Sequence, residues 1–196
     1  MTEQTGPKVA WITGGSTGIG LAIARSVSKA GYLVVLSARN EDGLLAACAE
    51  IEQAGGKADH VLLDVTDRDG VNRACQTILD RHGRIDVLVN NAGFNVQKRK
   101  WDELVAEEFD AVLLANLTGT FNAIHAVLPT MRAQHDGLIV NVSSVAGKQV
   151  SLDGGVGLQR RQAWRACDVA TAQPVGNPQR HPHLRGRTGR GQHPRP

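Results

Sequence analysis

Five short apolar runs recur along the chain, and each is followed by a polar or glycine-rich segment. The runs are continuous and do not alternate with polar residues, as is typical of parallel strands covered on both faces. They predict strands at Lys8–Ile12, Leu33–Ser37, Ala58–Leu63, Ile85–Asn90 and Leu138–Val142.

The segments between these runs repeat apolar residues every three or four positions, which is the spacing of an amphipathic helix. This pattern predicts helices at Ile19–Ala30, Glu41–Ala54, Asp67–Arg81, a short one near Trp101–Val105 and a long one from about Glu107 to Gln134. Strands that alternate with helices predict an α/β fold, a doubly wound parallel sheet with helices on both faces and right-handed crossovers.

A glycine-rich turn, Thr13–Gly20, joins the first strand to the first helix. Glycines at 14, 18 and 20 let the backbone turn sharply and approach a pyrophosphate closely. The free N–H groups at the start of the helix would then face the anion. The spacing differs from the common G-x-G-x-x-G fingerprint, so the turn alone is a moderate indication of a nucleotide site.

Ligands of open α/β sheets bind at the carboxyl ends of the strands, where this chain carries further polar residues. Arg39 follows strand two, where a cation suits a 2′-phosphate and favours NADP over NAD; it could also be a solvated loop charge. Asp64 and Val65 follow strand three, where they would meet the adenine, although Asp64 could instead cap a helix. Asn90 to Gly93 follow strand four, and Ser143-Ser144 follow strand five.

These motifs, with Asn116 in the long helix, resemble in order and spacing those of the short-chain dehydrogenase/reductase family, classical type, over about residues 1–157. The resemblance implies a Rossmann-type fold, a nicotinamide cofactor and hydride transfer between a carbonyl and an alcohol, as in the 3-oxoacyl carrier-protein reductases. It assigns cofactor binding to Thr13, Gly14, Ser16, Thr17, Gly18, Ile19, Gly20, Arg39, Asp64, Val65, Asn91, Ala92 and Gly93.

The same resemblance implies a catalytic group of Asn, Ser, Tyr and Lys. Asn116 matches the Asn and Ser144 matches the Ser, with Ser143 as the structural alternative to Ser144. The expected Tyr-x-x-x-Lys is absent, because Leu158 and Gln162 stand at its positions. Leucine and glutamine cannot transfer the proton, and loss of a general acid–base group costs about 10²–10⁴ in rate. We therefore expect little or no turnover.

Residues 158–196 differ in composition from residues 1–157. They hold eight arginines, no lysine and one aspartate, a charge of +7, which leaves −4 on residues 1–157 of the net +3. Few apolar residues and no periodicity predict a disordered tail. One base inserted before codons for Tyr-Ser-Ala-Ala-Lys yields Leu-Gln-Arg-Arg-Gln, the sequence of residues 158–162, so we interpret the tail as frameshifted and the domain as C-terminally truncated.

Composition and patterning limit the class of protein and the ligands and partners that we expect. Of the 196 residues, 41% are hydrophobic, enough for one domain with a core, and three cysteines lack metal-ligand or disulfide spacing. We expect no metal, no membrane contact, a cytoplasmic location, a small carbonyl or alcohol substrate, and impaired association into the family's homo-oligomers. The alternative function is a non-catalytic dinucleotide-binding protein whose basic tail contacts nucleic acid; otherwise no specific nucleic-acid partner is expected.

Overall fold

A computed structural model describes residues 6–97, 102–143 and 173–174 of the chain. The strands and helices alternate up to the fourth strand, and one long helix precedes the fifth. Their bounds are β1 Val9–Thr13, α1 Gly18–Lys29, β2 Leu33–Ala38, α2 Glu41–Gln53, β3 Lys57–Leu62, α3 Arg68–His82, β4 Val87–Asn90, α4 Ala106–Leu113, α5 Gly119–Ala133, β5 Leu138–Asn141 and β6 Gln173–Pro174. A π-helical segment, Leu114–Thr118, joins α4 to α5.

The described strands form one sheet in the order β3-β2-β1-β4-β5-β6. The first five are parallel, as predicted, with Ile12 beside Leu36 of β2 and Val89 of β4. The chain builds outward from β1 to β3 and then crosses to β4 on the other side of β1. This reversal opens a crevice beyond the carboxyl ends of β1 and β4, which is where open α/β sheets bind ligands.

Both faces of the sheet are covered, which explains why β1, β2 and β4 are mostly apolar. Trp11 and Leu88 face α3 and α5, and they pack in a buried cluster with Ile78 and Val127. The neighbouring strand residues Ala10, Ile12, Val34, Leu36 and Val89 face α1 and α2 in a second cluster. Successive strand side chains point to opposite faces, so every residue of β1 and β4 is buried on one side or the other, whereas the two ends of β3 are exposed.

Two predictions differ from the structure. The short helix expected near Trp101–Val105 is wrong over the described residues, because 102–103 form a turn and 104–105 have no regular structure. Val105 is extended and serves as the N-cap of α4. Five residues make a helix too short to offset its nucleation cost without packing support.

The second difference is β6, which the sequence does not predict. Gln173–Pro174 pairs antiparallel with Leu138 and Ile139 of β5. At those two residues β5 is therefore not an unpaired edge, because a segment later in the chain pairs with its free backbone groups. The rest of residues 158–196 lies outside the described residues, and its disorder and frameshifted origin stay predictions.

Within the described part of the chain, the continuous helix Ala106–Ala133 is long and apolar enough, by length and composition, to cross a membrane. A helix that covers a sheet passes the same test. Here Ala123, Val127 and Met131 are fully buried in the cluster beneath the helix. The apolar residues of this helix are thus accounted for in part by packing inside the domain.

Candidate nucleotide-binding site

The hydroxyl of Thr13 ties the end of β1 to the loop after β4. Its Oγ1 accepts hydrogen bonds from the backbone N–H groups of Asn91 and Ala92, both at 3.1 Å, and donates to the Val89 carbonyl at 3.3 Å. The side chain of Thr13 is buried. One hydroxyl thereby satisfies three backbone groups that would otherwise be unpaired at the base of the crevice.

The Asn91 side chain holds the glycine turn itself. Its Nδ2 donates to the carbonyls of Thr13 at 3.1 Å and Gly14 at 2.9 Å. Gly14 has a φ of +65°, which favours glycine, and a Cβ on Gly20 would overlap the Gly14 carbonyl. The predicted need for glycine at 14 and 20 therefore has a direct geometric cause.

The N-terminus of α1 faces this turn. Thr17 is the N-cap and its side chain makes no capping hydrogen bond, and the first turn of α1 contains no acidic residue. Gly18 has a φ of +57° with open space around the position of a Cβ. The first-turn N–H groups and the positive end of the helix dipole therefore face the crevice without a competing side-chain anion.

One end of the crevice is formed by the loops after β2 and β3. Asp64 Oδ1 accepts from the backbone N–H of Thr66 at 2.9 Å and from its hydroxyl at 2.8 Å. The N-cap of α3 is Asp67, as predicted, so Asp64 shapes the loop and does not cap the helix. Arg39 is exposed, and the neighbouring Asn40 caps α2 by accepting from Gly43 N–H at 3.1 Å.

The opposite end of the crevice is formed by the loops after β4 and β5 and by the π-helical segment. Asn116 Oδ1 accepts from Phe94 N–H at 2.9 Å, and Asn116 Nδ2 donates to the Phe94 carbonyl at 2.6 Å. A Cβ on Gly93 would overlap Asn116 Oδ1, which explains the glycine there. Asn116 is buried, and its amide therefore braces the backbone of the loop.

Among the residues that the structure describes, some buried polar atoms at this end have no hydrogen-bond partner. They include the Ser143 hydroxyl and the Asn95 Nδ2, which both belong to residues that line the crevice. The Asn90 amide spans from β4 to β5 by donating to Asn141 Oδ1 at 2.7 Å, while Asn141 Nδ2 is unpaired. Unpaired buried polar atoms beside a crevice indicate that a polar ligand could satisfy them.

These loops enclose a crevice of about 760 Å³. Two of the predicted cofactor residues, Thr13 and Gly20, lie behind its wall. All the others line it: Gly14, Ser16, Thr17, Gly18, Ile19, Arg39, Asp64, Val65, Asn91, Ala92 and Gly93. Asn116 also lines it, whereas Ser144 lies outside the described residues. Sequence reasoning missed Ser37, Asn40, Thr66, Asn95 and Ala115, which line it too. A helix N-cap signal could have found Asn40; the others carry no motif.

Fold and site together define a nucleotide-binding α/β domain, and comparison with known proteins identifies its family. The family described as short chain dehydrogenase matches residues 8–156. The chain therefore belongs to the short-chain dehydrogenase/reductase family, a family of oxidoreductases.

Two relatives illustrate the match. A protein of Streptomyces virginiae named for ketoacyl reduction in the monensin polyketide synthase is 44% identical over 151 residues, 76% of this chain and 57% of the relative. The 3-oxoacyl-(acyl-carrier-protein) reductase of Thermotoga maritima is 40% identical over 140 residues, 71% of this chain and 56% of the relative. The chain thus spans little more than half the length of these curated relatives.

Solved structures show the same fold. A metagenomic short-chain oxidoreductase in complex with NADP superposes with a TM-score of 0.74 at 38% identity, covering 79% of this chain and 70% of the other. Xylitol dehydrogenase with bound NAD⁺ superposes with a TM-score of 0.76 at 30% identity, covering 80% of this chain and 60% of the other. Both nicotinamide cofactors therefore occur among structures similar to this chain.

Proposed function

We propose that the chain binds NADP(H) in the crevice and descends from oxidoreductases that interconvert a carbonyl and an alcohol, with turnover impaired by the loss of its proton-transfer residues. One observation carries the proposal. The Thr13 hydroxyl and the Asn91 amide fix the glycine turn at the positive end of α1, beside Arg39 at the mouth of the crevice.

A nicotinamide dinucleotide fits the residues that are present. Gly14 and Gly18 keep the wall of the turn free of side chains, and the first turn of α1 offers unpaired N–H groups to a pyrophosphate. Arg39 would pair with the 2′-phosphate of NADP, and Asp64 and Val65 would meet the adenine. The preference for NADP over NAD rests on Arg39, since relatives of known structure bind either one.

The bound cofactor would supply or accept the hydride. Asn116 would keep the loop of Gly93 and Phe94 in place, so that the wall of the site does not move as ligands enter. The serine that binds the substrate oxygen would be Ser144, with Ser143 as the alternative because Ser143 lines the crevice and its buried Oγ has no partner among the described residues. Leu158 and Gln162 offer no group that could donate the proton.

A frameshift accounts for the missing pair. The family match ends at residue 156, immediately before the change in composition at residue 158. Sequencing the gene around codon 158 tests this: removal of one base should restore Tyr-x-x-x-Lys followed by sequence of the family. If no single-base change restores a family-like frame, the hypothesis is wrong.

Nucleotide titration of the full chain tests the binding proposal. We expect NADPH to bind more tightly than NADH, and Arg39→Ser to weaken NADPH by about tenfold while changing NADH little, because a charge-assisted contact is lost. Arg132→Ser is the control, since Arg132 is exposed on α5 and lies outside the crevice. Tighter binding of NADH than NADPH by the unmodified chain would contradict the assignment of Arg39.

A further inference from the structure

The loop that ends β3 is held from behind by the long helix. Asn122 of α5 donates from Nδ2 to the Val65 carbonyl at 3.2 Å, across 57 positions of sequence. Its Oδ1 accepts from Arg68 Nε at 3.2 Å. Asn122 is 3% exposed and does not line the crevice, so its amide contacts the loop from the side opposite to the ligand.

The same helix, α5, also packs closely against Val65 at Gly119. A Cβ built on Gly119 would lie 2.7 Å from Val65 Cγ2 and 3.0 Å from Val65 Cβ. The first distance is shorter than real Cβ atoms show, and both atoms belong to a stiff β-branched side chain, so Val65 itself would have to shift. The helix therefore fixes Val65 by a hydrogen bond at its carbonyl and by close packing at its side chain.

The front of the loop is organised independently. Asp64 Oδ1 pairs with the N–H and hydroxyl of Thr66, and Leu63 N–H donates to the Ala38 carbonyl at 2.9 Å. These bonds shape the loop locally and tie it to β2, but they leave the Val65 peptide without support from the sheet. Asn122 and Gly119 provide that support.

We propose that Asn122, together with Gly119, is a positioning residue for the adenine end of the nucleotide site. It acts by holding Val65 in the wall of the crevice and does not itself touch the ligand. The proposal rests on the proposed function, because the adenine is assigned to Asp64 and Val65 there. It makes affinity for the adenine half of the cofactor depend on α5, while the π-helical segment that precedes α5 lines the other end of the site with Ala115 and Asn116.

The test is Asn122→Asp in the full chain. The carboxylate keeps the size of the amide and an acceptor for Arg68, but it cannot donate to the Val65 carbonyl. We expect NADPH and 2′-phospho-ADP-ribose, which lacks the nicotinamide, to lose affinity by the same factor of about five to ten. A general structural defect would not confine the loss of affinity to contacts with the adenine half of the ligand.

Gln134→Glu is the matched control. Gln134 also bridges to backbone, accepting from Ile85 N–H at 3.2 Å and donating to its carbonyl at 2.9 Å, but at the amino-terminal edge of the sheet. It should lower the urea midpoint without changing either affinity. Equal affinity losses in the two variants, a loss confined to NADPH, or no loss in Asn122→Asp would each overturn the proposal.

Two further measurements keep the outcome decisive. Gly119→Ala should weaken the same two ligands, although alanine favours helix formation, because the added methyl displaces Val65. Amide hydrogen exchange at residues 63–67 should be faster in Asn122→Asp than in Gln134→Glu, with no ligand present. If the unmodified chain binds neither nucleotide, the proposed function fails, and exchange alone decides whether Asn122 holds the loop; unchanged exchange would overturn that role.

Discussion

At the scale of single residues, the site depends on polar side chains that serve backbone groups. Thr13, Asn91 and Asn116 each hydrogen-bond to main-chain atoms of a neighbouring loop, and Thr13 and Asn116 are almost fully buried. Because buried backbone groups need partners, each of these side chains fixes the path of the chain it contacts. The ligand-binding surface is then made largely of backbone and small side chains, held from behind.

Thr13→Val tests this dependence. Valine keeps the β-branched shape but removes the acceptor of the Asn91 and Ala92 N–H groups in a partly buried place. We expect the free energy of unfolding to fall by about 2–4 kcal/mol, measured by urea denaturation, because each unpaired buried donor costs about 1–3 kcal/mol. Thr13→Ser retains the hydroxyl and should lose much less. Equal losses in the two variants would contradict the dominant role of the hydroxyl, because the methyl group would then matter as much.

At the scale of elements, close approach between helices and strand-end loops sets the geometry of the crevice. The first turn of α1 reaches the β1 turn at Gly20, and the π-helical segment reaches the β4 loop at Gly93. The π-helical turn places Asn116 where its amide meets Phe94. The elements thus position the site through contacts that only glycine permits.

Gly20→Ala tests the contact between α1 and the turn. The methyl group would overlap the Gly14 carbonyl and crowd Asn91 Nδ2 at 2.5 Å, so the turn must move away from the helix. We expect NADPH affinity to fall by about tenfold or more, even though alanine favours the helix. Ser26→Ala, on the exposed side of α1, is the control and should leave affinity unchanged. Unchanged affinity in Gly20→Ala would contradict the close approach.

A second pair of elements, β3 and α3, is joined by a titratable contact away from the site. Burial raises the pKa of Asp59, but hydrogen bonds from His82 at 2.8 Å, from the His60 N–H and from Arg81 lower it by more, so the pKa of Asp59 lies below its ordinary value. A carboxylate with a lowered pKa stabilises the fold above its unfolded pKa, and this contribution is lost as pH falls through the folded pKa.

Asp59→Asn should therefore reduce stability in a pH-dependent way. We expect the unmodified chain to have the higher urea midpoint at pH 5, and the difference to shrink from about pH 4 downward as Asp59 takes up a proton. Asp80→Asn, which removes an exposed carboxylate near the same end of α3, is the control. A difference that persists unchanged at the lowest pH would mean that charge on Asp59 is not the source.

At the scale of the whole molecule, the described domain contains the nucleotide half of the site. The five parallel strands, both helical layers and the crevice lie within residues that match the family, and the chain spans little more than half the length of the curated relatives. Under the proposed function, binding and turnover are separable in this chain. Nucleotide binding would need only the crevice, whereas proton transfer would need the Tyr and Lys at whose positions Leu158 and Gln162 stand.

Frame restoration tests that separation. We expect the 196-residue chain to show little or no oxidation of NADPH with simple ketones and 3-oxoacyl thioesters, and the chain encoded after removal of one base at codon 158 to be active. The double substitution Leu158→Tyr/Gln162→Lys should restore little, because the residues beyond 162 still differ from the family. Robust turnover by the unmodified chain, followed by absorbance, would contradict the proposed impairment.

The sequence by itself determined the strands, the main helices and most of the crevice. Apolar runs and helical periodicity identify elements because burial depends on local spacing, and the glycine turn, Arg39, Asp64 and Asn91 follow strands whose ends must meet at one edge of a parallel sheet. Their chemistry could be predicted because topology alone brings them together.

Only the tertiary structure decided the contacts made across long separations. Nothing in the local sequence pairs Asn122 with Val65, turns the middle of the long helix into a π-helical segment, or places Gln173–Pro174 beside β5. The same limit applies to Asn116, whose amide is used on the Phe94 backbone. Such pairings depend on how elements that are far apart in the sequence pack together. A residue's sequence neighbours do not encode this packing.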